Sequence, residues 1–396
     1  MPAEVDCVVV GAGLTGSVAA LALAARGLSV VVIEQHAPLP SPRLDQRALV
    51  LSCASVRILA ACGLWARLMP VSTAVRSIRI SERGAFGTVR LDAAEVGLDA
   101  LGWACPAGLM LGEFNSALLG QVGIEVRWST QFLGCSAEPA AIRVRLGGPA
   151  GNQDVFARLL IGADGAESAV RAASGITVTR FDYAQQAIVA SVHAARPAPH
   201  TAFELFTTEG PLALIPQGGA RYVAVQCFRT ERAMRVAELD DADYLALLER
   251  RSGARLGSLS ELGPRRVHAL VRQRADCVTG ARTVIIGNAA NTVHPNAAQG
   301  LNLGLRDAAE LAGIAGGATD PGAATTLDAY AAARVRDHRR TGGLTHALAR
   351  TFASPLAPVA CARRTLMAVC AHTGPLRRRV IAEFGGLSAL ADSASA

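Results

Sequence analysis

VDCVVVGAGLTGSVAALALAARGLSVVVIE, residues 5–34, has the pattern of a strand, a turn, a helix and a second strand. Residues 5–10 are mostly apolar and β-branched, residues 14–26 have the composition of a buried helix, and residues 29–33 are again rich in valine. A βαβ unit of this kind belongs to a parallel sheet with helices packed on its faces. The opening of the chain therefore predicts an α/β fold.

The turn inside this unit, GAGLTG at residues 11–16, carries three spaced glycines. Gly11 permits a tight turn, Gly13 lets a pyrophosphate approach the amides at the helix N-terminus, and Gly16 lets the helix pack closely on the strand. Glu34 ends the second strand 18 residues after Gly16, where a carboxylate accepts hydrogen bonds from ribose hydroxyls. The motif predicts a dinucleotide cofactor but does not separate FAD from NAD. The alternative is a glycine-rich turn in an unrelated α/β protein.

The composition of the 396-residue chain excludes several classes of protein. Hydrophobic residues make up 51% and charged residues 18%, and the mean hydropathy is +0.30, which excludes disorder and suits an apolar substrate or a membrane-facing patch. All 39 basic residues are arginine, and a P-loop or a Schiff-base enzyme needs a lysine. The nine cysteines include no CxxC pair, which argues against metal sites and disulfides and fits a reducing cytoplasm.

Positive charge is concentrated near the C-terminus. Residues 338–382 contain eight arginines and no acidic residue, a distribution that argues against nucleic-acid binding. Apolar residues recur between them at helical spacing, so we expect two or three amphipathic helices broken at Pro355, Pro358 and Pro375. These helices could contact an anionic membrane or a partner protein of a biosynthetic complex, or they could form a cap packed on the core.

A secretory or membrane-spanning segment is not expected at the N-terminus. The first six residues, MPAEVD, are acidic rather than basic, and glycines interrupt the apolar stretch that follows. We expect a cytoplasmic protein whose contact with the inner membrane, if any, is peripheral.

Segments with strand character interrupt the cofactor-binding pattern. Residues 75–95 and 140–161 alternate in polarity, and residues 187–228 are rich in strand formers, with turns expected at GP (210–211) and GG (218–219). Helical patterns follow at residues 240–251 and 301–313. This interleaving predicts a substrate-binding sheet inserted between parts of the cofactor domain.

Two further motifs extend the cofactor argument. LIGADGAESAVR (160–171) is a buried strand that turns at Asp164 and Gly165 towards a helix, and VIIGNAANTVHPNAAQGLNLGLRDAAELA (284–312) is a strand, a long loop and a helix. Together with GAGLTG they resemble the class A flavin monooxygenases, the family of para-hydroxybenzoate hydroxylase. The resemblance implies that the three segments surround one FAD, that NAD(P)H is the reductant without a domain of its own, and that O2 is a substrate.

Within that family the chain is most similar to the ubiquinone-biosynthesis hydroxylases. DQRALVLS (45–52), GPLALIPQ (210–217), NLGLRDAAELA and the arginine-rich tail all resemble their segments, so the similarity covers residues 5 to about 387. Two positions depart from the family pattern, because most relatives have Asp where this chain has Asn288 and Gly where it has Ala298. The GNAA form is similar to the 2-octaprenyl-6-methoxyphenol hydroxylase branch. Ala298 is tolerable if its φ is negative and weakens cofactor binding if the loop needs a positive φ.

The resemblance also implies roles for individual residues. The backbone amides of Gly300, Leu301 and Asn302 stabilise negative charge on the reduced flavin, and Pro295 places a carbonyl beside the ring. For each of these residues the alternative is an ordinary loop or cap role, and we give His193 and His294 no role and identify no general base. The residues expected to bind FAD are Gly11, Gly13, Gly16, Glu34, Arg47, Asp164, Gly165, Asn288, Pro295, Gly300, Leu301 and Asn302.

The resulting expectation is a Rossmann-like FAD-binding domain of the para-hydroxybenzoate hydroxylase type with an inserted β-sheet substrate domain and C-terminal helices. The expected divisions are residues 1–75, 98–180 and 277–343 for FAD, 76–97 and 181–276 for the substrate, and 344–396 for the basic helices. The expected reaction adds a hydroxyl group para to the phenol oxygen of a polyprenylated methoxyphenol. The alternatives are a soluble-substrate aromatic hydroxylase, an FAD-dependent dehydrogenase of the same fold, and a non-catalytic scaffold.

Overall fold

The computed structural model describes residues 4–38, 47–84, 87–149, 151–295, 298–354 and 356–385. Its strands are β1 (Val5–Val10), β2 (Val30–Ile33), β3 (Ala48–Ser52), β4 (Thr73–Val75), β5 (Ser77–Glu82), β6 (Thr88–Asp92), β7 (Gly102–Pro106), β8 (Ile124–Arg127), β9 (Gln131–Ala137), β10 (Ile142–Gly148), β11 (Gly151–Gly162), β12 (Val178–Ala194), β13 (Thr201–Thr207), β14 (Gly210–Pro216), β15 (Arg221–Arg229), β16 (Leu259–Ser260), β17 (Arg266–Ala275), β18 (Thr279–Gly280), β19 (Thr283–Ile285) and β20 (Asn291–Thr292). Its α-helices are α1 (Leu14–Ala24), α2 (Cys53–Ala61), α3 (Trp65–Leu68), α4 (Ala107–Gly120), α5 (Ala169–Ala173), α6 (Thr230–Ala237), α7 (Asp241–Ser252), α8 (Gln299–Gly316), α9 (Ala324–Ala353), α10 (Ala357–His372) and α11 (Gly374–Phe384).

The first sheet is built around the opening βαβ unit. β1 pairs in parallel with β2 on one side and with β11 on the other, in the order β18-β19-β11-β1-β2-β8, and β10 and β9 extend from β11. β2 is buried throughout, as a parallel strand covered by helices must be. α1 ends two residues earlier than the pattern predicted, because Ala25 is its C-cap and Gly27 adopts a φ of +84° in the turn that follows.

The second sheet has nine strands, in the order β20-β17-β12-β15-β14-β13-β5-β6, with β16 beside β12. It is antiparallel except where β13 runs parallel to β5. Its strands come from residues 77–92, 178–275 and 291–292, so the inserted sheet expected from the sequence is confirmed. β20 was not expected in it, because residues 291–292 fall in a segment assigned to the cofactor domain. One face of this sheet packs against α6 and α7.

The two expected turns in this sheet have different outcomes. The GG pair at 218–219 lies in the turn between β14 and β15, as predicted, whereas the GP pair at 210–211 begins β14 and the turn falls on residues 208–209. Gly210 has a φ of +131°, and a Cβ atom there would lie 2.4 Å from the carbonyl oxygen of Cys227. Close approach of a neighbouring strand, rather than the turn, requires this glycine.

The C-terminal helices differ from the prediction in their boundaries. α9 runs for 30 residues through Gly342 and Gly343, so the expected division after residue 343 falls inside a helix. Pro358 and Pro375 lie in the first turns of α10 and α11, where a missing N–H removes no intrahelical hydrogen bond. They begin helices rather than break them, and Pro355 and residues 386–396 lie outside the described residues. α10 and α11 cover β5 and β6 through a small apolar cluster centred on Val89, Leu91, Cys370 and Ile381.

Paired cysteines would indicate a disulfide-stabilised protein, and a long apolar helix would indicate a membrane-spanning one. All nine cysteines are free thiols, and five of them are buried, namely Cys7, Cys53, Cys105, Cys227 and Cys370. Among the described residues, no single helix is long and apolar enough to cross a membrane, although the bent pair Cys53–Ala61 and Trp65–Val71 meets the length and composition criteria jointly.

Candidate cofactor site

The GAGLTG turn connects β1 to α1 and packs tightly at two of its three glycines. Gly11 has a φ of +104°, and a Cβ atom there would lie 2.6 Å from the carbonyl oxygen of Ala163. A Cβ atom on Gly16 would lie 2.0 Å from the carbonyl oxygen of Gly11. Gly13, the N-cap of α1, differs, because a Cβ atom there would meet no atom within 4 Å. Gly11 and Gly16 hold the turn together, and Gly13 faces open space in front of the helix.

Glu34 lies beside this turn, at the end of β2. Its Oε2 accepts a hydrogen bond from the amide of Ala12 at 2.9 Å, and its Oε1 accepts one from the amide of His36 at 3.0 Å. Each carboxylate oxygen keeps further acceptor capacity after one such bond. The carboxylate is therefore fixed at the edge of the glycine turn and can still accept hydroxyl donors.

The second motif lies against the first, because Gly11 approaches both Ala163 and Asp164. The Asp164 carboxylate accepts hydrogen bonds from the Ser168 hydroxyl at 2.5 Å and from the Val170 amide at 3.1 Å. Gly165 follows with a φ of +85° and open space where a Cβ atom would be. Asp164 thus fixes the turn that leads into α5, and its role in this structure is that of a loop-capping residue.

The third motif meets the first at Thr15. A Cβ atom on Gly287 would lie 3.0 Å from the Thr15 hydroxyl oxygen, and one on Gly304 would lie 2.6 Å from it. Asn288, in the 3-10 turn that follows β19, is exposed beside this contact. Arg171 of the second motif donates to the carbonyl oxygen of Ala289 at 3.0 Å. All three motifs are therefore packed together, as the family resemblance implied.

The N-terminus of α8 is open in the same way as that of α1. Its N-cap residue is Ala298, in the left-handed conformation with a φ of +51°, and no side chain caps the helix. Gly300 and Leu301 are in the first turn, where backbone amides have no partner within the helix. Two uncapped helix N-termini, at α1 and α8, therefore belong to one packed unit, and each favours a negatively charged ligand group.

The Asn302 side chain joins this loop to the DQRALVLS segment. Its Nδ2 donates to the carbonyl oxygens of Val50 at 2.9 Å and Ala298 at 2.7 Å. Its Oδ1 accepts from the Ser52 amide at 2.8 Å and the Ser55 hydroxyl at 2.7 Å. All of its donors and acceptors are occupied by the protein, so only the backbone of Asn302 is available to a ligand.

Two expected residues have less defined surroundings. Pro295 is exposed, and its carbonyl oxygen accepts from the amide of Ala298 at 3.0 Å. Arg47 is exposed just before β3, and its carbonyl oxygen accepts from the amide of Ala107 at 2.9 Å, which places it beside the start of α4. Asp45 and Gln46 of the same motif, and residues 296–297 of the flavin loop, lie outside the described residues.

Sequence reasoning missed a buried polar network behind the site. The fully buried Asp307 accepts hydrogen bonds from the Gly287 amide at 3.1 Å, from Arg334 Nε at 2.8 Å and from His338 Nε2 at 2.6 Å. Burial alone would raise the pKa of Asp307, but His338 and Arg334 hold that pKa below its ordinary value. The signal was present, because Arg306 and Asp307 are charged residues inside an otherwise apolar stretch of α8.

A cluster of aromatic rings connects the flavin loop to the second sheet. The ring of His294 lies edge-on to Tyr183 of β12, with centroids 4.8 Å apart. The Tyr183 hydroxyl is 2.8 Å from His346 Nδ1 on α9, and burial raises the pKa of Tyr183. The loop that contains Pro295 is therefore anchored against the inserted sheet, and His294 is one of the anchoring residues.

These residues fit a dinucleotide such as FAD. The open space before Gly13, the acceptor at Glu34 and the uncapped start of α8 would take a pyrophosphate, a ribose and an anionic ring edge respectively. Among the described residues, no group of three His, Cys, Asp or Glu side chains could hold a metal ion.

Comparison with known proteins agrees with this geometry. Residues 4–341 match the family described as FAD binding domain. The ubiquinone hydroxylase UbiL of Rhodospirillum rubrum is 36% identical over 385 residues, covering 94% of this chain and 87% of that protein. The 3-demethoxyubiquinol 3-hydroxylase of Escherichia coli is 29% identical over 312 residues, covering 76% of this chain and 77% of that protein. The crystal structure of p-nitrophenol 4-monooxygenase PnpA from Pseudomonas putida shares the fold, with a TM-score of 0.80, 18% identity, and coverage of 97% of this chain and 98% of that chain.

The family match and the shared fold define a flavoprotein. The chain belongs to the FAD binding domain family. It is an FAD-dependent monooxygenase with NAD(P)H as reductant, so the expected family, fold class, cofactors and enzyme class are confirmed.

Proposed function

We propose that this enzyme hydroxylates a polyprenylated methoxyphenol in ubiquinone biosynthesis, with NAD(P)H as electron donor and O2 as the source of oxygen. The observation that carries the proposal is the packing of two open helix N-termini around Thr15, in a chain 36% identical to a ubiquinone hydroxylase. When bound, FAD supplies the chemistry that transfers electrons from NAD(P)H to O2.

The residues of the chain bind and orient. Amides at the start of α1, beside Gly13, would face the pyrophosphate, and Glu34 would accept the ribose hydroxyls. Amides at the start of α8 would stabilise negative charge on the bound ring, and Asn288 would offer an uncharged acceptor and two donors in place of the acid of most relatives. The full set assigned to FAD is Gly11, Gly13, Gly16, Glu34, Arg47, Asp164, Gly165, Asn288, Pro295, Gly300, Leu301 and Asn302.

We assign different roles to the two larger of the three sheets, the third being the small sheet β3-β7-β4. Residues 1–75, 98–180 and 277–343 hold the cofactor, and residues 76–97 and 181–276 form the floor of the substrate site. The contact between His294 and Tyr183 supports this arrangement, since it joins the flavin loop to the face of the inserted sheet. The basic helical segment begins after α9, at α10.

Oxygen consumption tests the proposed reaction. Purified enzyme with FAD should oxidise NAD(P)H with matching O2 uptake, and a 2-methoxyphenol carrying a short prenyl chain should increase the rate and become hydroxylated. Mass spectrometry of the product, with ¹⁸O₂ as a control, identifies the inserted atom. Equal turnover without O2 would replace this proposal with a dehydrogenase, and a colourless protein that cannot be reconstituted with FAD would favour a scaffold.

The outer face of α10 is proposed to rest on an anionic membrane, the source of the apolar substrate. Leu366 and Val369 are 63% and 47% exposed on this face, whereas Cys370 is turned inwards against Leu91 of β6. Arg364 and Arg377 are paired with acids, but Arg378 and Arg379 are exposed in the middle of α11. An apolar helix face next to exposed cations suits an anionic bilayer surface.

A further inference from the structure

The two faces of the inserted sheet are covered differently. On one face, Leu212, Leu214 and Ala224 are fully buried beneath α6 and α7. On the other face, Val225 and Ala213 are only half-buried. Successive residues of a strand point to opposite faces, so this difference between neighbours describes one closed face and one partly open face. We call the second one the open face.

A single cross-strand row runs across the open face. Val189 of β12 lies opposite Val225 of β15, Val225 lies opposite Ala213 of β14, and Ala213 lies opposite Glu204 of β13. Side chains in directly opposed positions are about 5 Å apart. Three small apolar side chains therefore form a flat strip that ends at the carboxyl group of Glu204.

Aromatic contacts lie near the strip in two directions. Six residues before Val189 on β12, Tyr183 contacts His294, the residue next to Pro295 in the flavin loop. On the side of β13, Phe206 stacks on Phe352 at the end of α9. A flat aromatic ring placed on the strip would lie between the flavin loop and Glu204.

Glu204 itself has no compensating charge. Among the described residues, no donor hydrogen-bonds to its carboxylate and no cation pairs with it. Burial in these apolar surroundings raises the pKa of Glu204 to about 7. The nearby Cys227 remains a neutral thiol, because burial, with Glu204 contributing, raises its pKa to about 12.

The other ionisable groups around this face are engaged elsewhere. Glu82 lies beyond Phe206 on β5 and is bound by Arg363 at 2.7 Å and by Arg364 at 2.9 Å, and these bonds hold the pKa of Glu82 below its ordinary value. Tyr183 and His346 bind each other on the far side of the strip. The ionisable groups on β12, β15, β5, β17, α9 and α10 that face this side are Tyr183, Cys227, Glu82, Arg266, His268, Arg272, His346, Arg350, Arg363 and Arg364, of which Arg266 lies opposite Val189 at the far end of the row from Glu204.

We propose that Glu204 is the catalytic base that binds the phenolic hydroxyl of the substrate and removes its proton. This inference rests on the proposed function and assigns a base to a site whose other residues only bind and orient. In the step, the phenol O–H bond breaks, its electron pair stays on oxygen, and the proton forms a new O–H bond on the Glu204 carboxylate. The phenolate is the more electron-rich ring, and therefore the better acceptor of an electrophilic oxygen atom.

The strength of the base suits this task. A general base is most effective when its pKa lies near the working pH, and an unpaired carboxylate is free to turn towards a donor. A phenol is about 3 pKa units weaker as an acid than this carboxyl group, so proton transfer needs the contact that the strip provides. Return of this proton from Glu204 to the product oxygen restores the carboxylate for the next turnover.

Glu204→Gln in the FAD-loaded enzyme tests the assignment, because the amide keeps the shape and loses the base. Glu231→Gln is the matched control, since Glu231 is exposed on α6, on the closed side of the sheet. The first measurement is the ultraviolet difference spectrum of a bound 2-methoxyphenol with a short alkyl chain, without NAD(P)H, across pH. Wild type and Glu231→Gln should show a red shift of the phenol band that grows through about pH 7, as the ionised Glu204 carboxylate accepts the phenol hydrogen bond, and Glu204→Gln should lose this pH dependence.

Activity and stability provide two further measurements. The value of kcat should fall about 100-fold or more in Glu204→Gln, and its pH profile should lose the rise near neutrality. Because the pKa of folded Glu204 is above its ordinary value of 4.5, its contribution to stability is present below that pH and is lost as pH rises through about 7. Glu204→Gln should therefore raise the melting midpoint at about pH 8.5 and leave it unchanged at about pH 4.

The outcomes separate the two proposals. If Glu204→Gln keeps the pH-dependent red shift of the phenol band and the pH profile of wild type, Glu204 is not the base, while phenol-dependent O2 uptake by wild type still supports the hydroxylase. If wild type neither binds the phenol nor consumes O2 with it, both proposals fail. If the melting midpoints of Glu204→Gln and wild type coincide at both pH values, Glu204 is solvated like a surface carboxylate and the assignment is overturned.

Discussion

Ala298 has a strained backbone conformation in the candidate cofactor site. Its φ of +51° is the positive value that would disfavour alanine, at the position where most relatives have glycine. A left-handed conformation costs a non-glycine residue about 1 kcal/mol. The chain therefore stabilises the start of α8 less than a glycine would, and the contacts of Asn302 with Ala298 and Val50 offset part of that loss.

Ala298→Gly should raise the free energy of unfolding by about 0.5–1 kcal/mol, because glycine adopts this φ without strain. Urea denaturation of the apoprotein measures the change, and the affinity for FAD should not decrease. Ala332→Gly is the control: Ala332 is exposed in the middle of α9, where glycine should lower stability by about the same amount. A loss of stability in both variants would contradict the strained conformation of Ala298.

Gly13 and Gly16 should respond differently to the same substitution. Gly13→Val should give a folded protein without flavin absorbance, since its side chain meets no protein atom but fills the space before α1. Gly16→Val should unfold the protein, because its Cβ would lie 2.0 Å from a carbonyl oxygen. Visible absorbance and far-ultraviolet circular dichroism separate the two effects. Full flavin content in a folded Gly13→Val variant would remove the pyrophosphate from this turn.

Motif residues could be assigned from the sequence where local chemistry dictates their position, as for Gly11 and Gly16. Asn302 could be placed at the start of a helix, but not the four hydrogen bonds of its side chain, because three of their partners are about 250 positions away. Glu204 had no sequence signal at all. Its desolvation arises only when β13 pairs with β14 and β5 and the tail closes over them.

The two faces of the helix α10 support different expectations, a cap packed on the core and a surface in contact with a membrane. Its inner face packs on β6, as the cap alternative stated, and its outer face leaves Leu366 and Val369 in solvent. Both readings of the tail therefore describe part of the same helix. Helix boundaries here could not be predicted from prolines alone, since a proline breaks a helix in its interior and begins one in its first turn.

Arg378→Gln/Arg379→Gln should weaken binding to anionic vesicles by about 30-fold, since each arginine near an anionic surface contributes about 1 kcal/mol. Co-sedimentation with anionic and neutral vesicles at low and high salt measures it, and salt should weaken binding of the wild type. Arg235→Gln/Arg250→Gln is the charge-matched control on α6 and α7, on the opposite side of the sheet. Equal binding of all three proteins, or none by wild type, would remove the membrane proposal.

For the molecule as a whole, the order of the motifs along the chain predicted the architecture better than any single motif did. The βαβ opening, the inserted sheet and the return to a cofactor segment all follow from the alternation of patterns along the chain. The addition of β20 to the inserted sheet, through Gln273 and Arg274 of β17, could not be predicted, because a two-residue strand has no periodicity of its own. That short pairing ties the two parts of the molecule together directly before the flavin loop.

The packing of three separate segments around Thr15 has a consequence for the synthesis of the protein. The walls of this site are contributed by residues 11–16 and 163–165 and by Gly287 and Gly304, so a ribosome must synthesise about three quarters of the chain before the last wall exists. FAD cannot guide the folding of the nascent N-terminal segment and can enter only after α8 has emerged. Cells short of riboflavin should consequently accumulate the full-length protein without FAD. The N-termini of α1 and α8 face only water in this apoprotein, and proteases should degrade it faster than the FAD-bound protein.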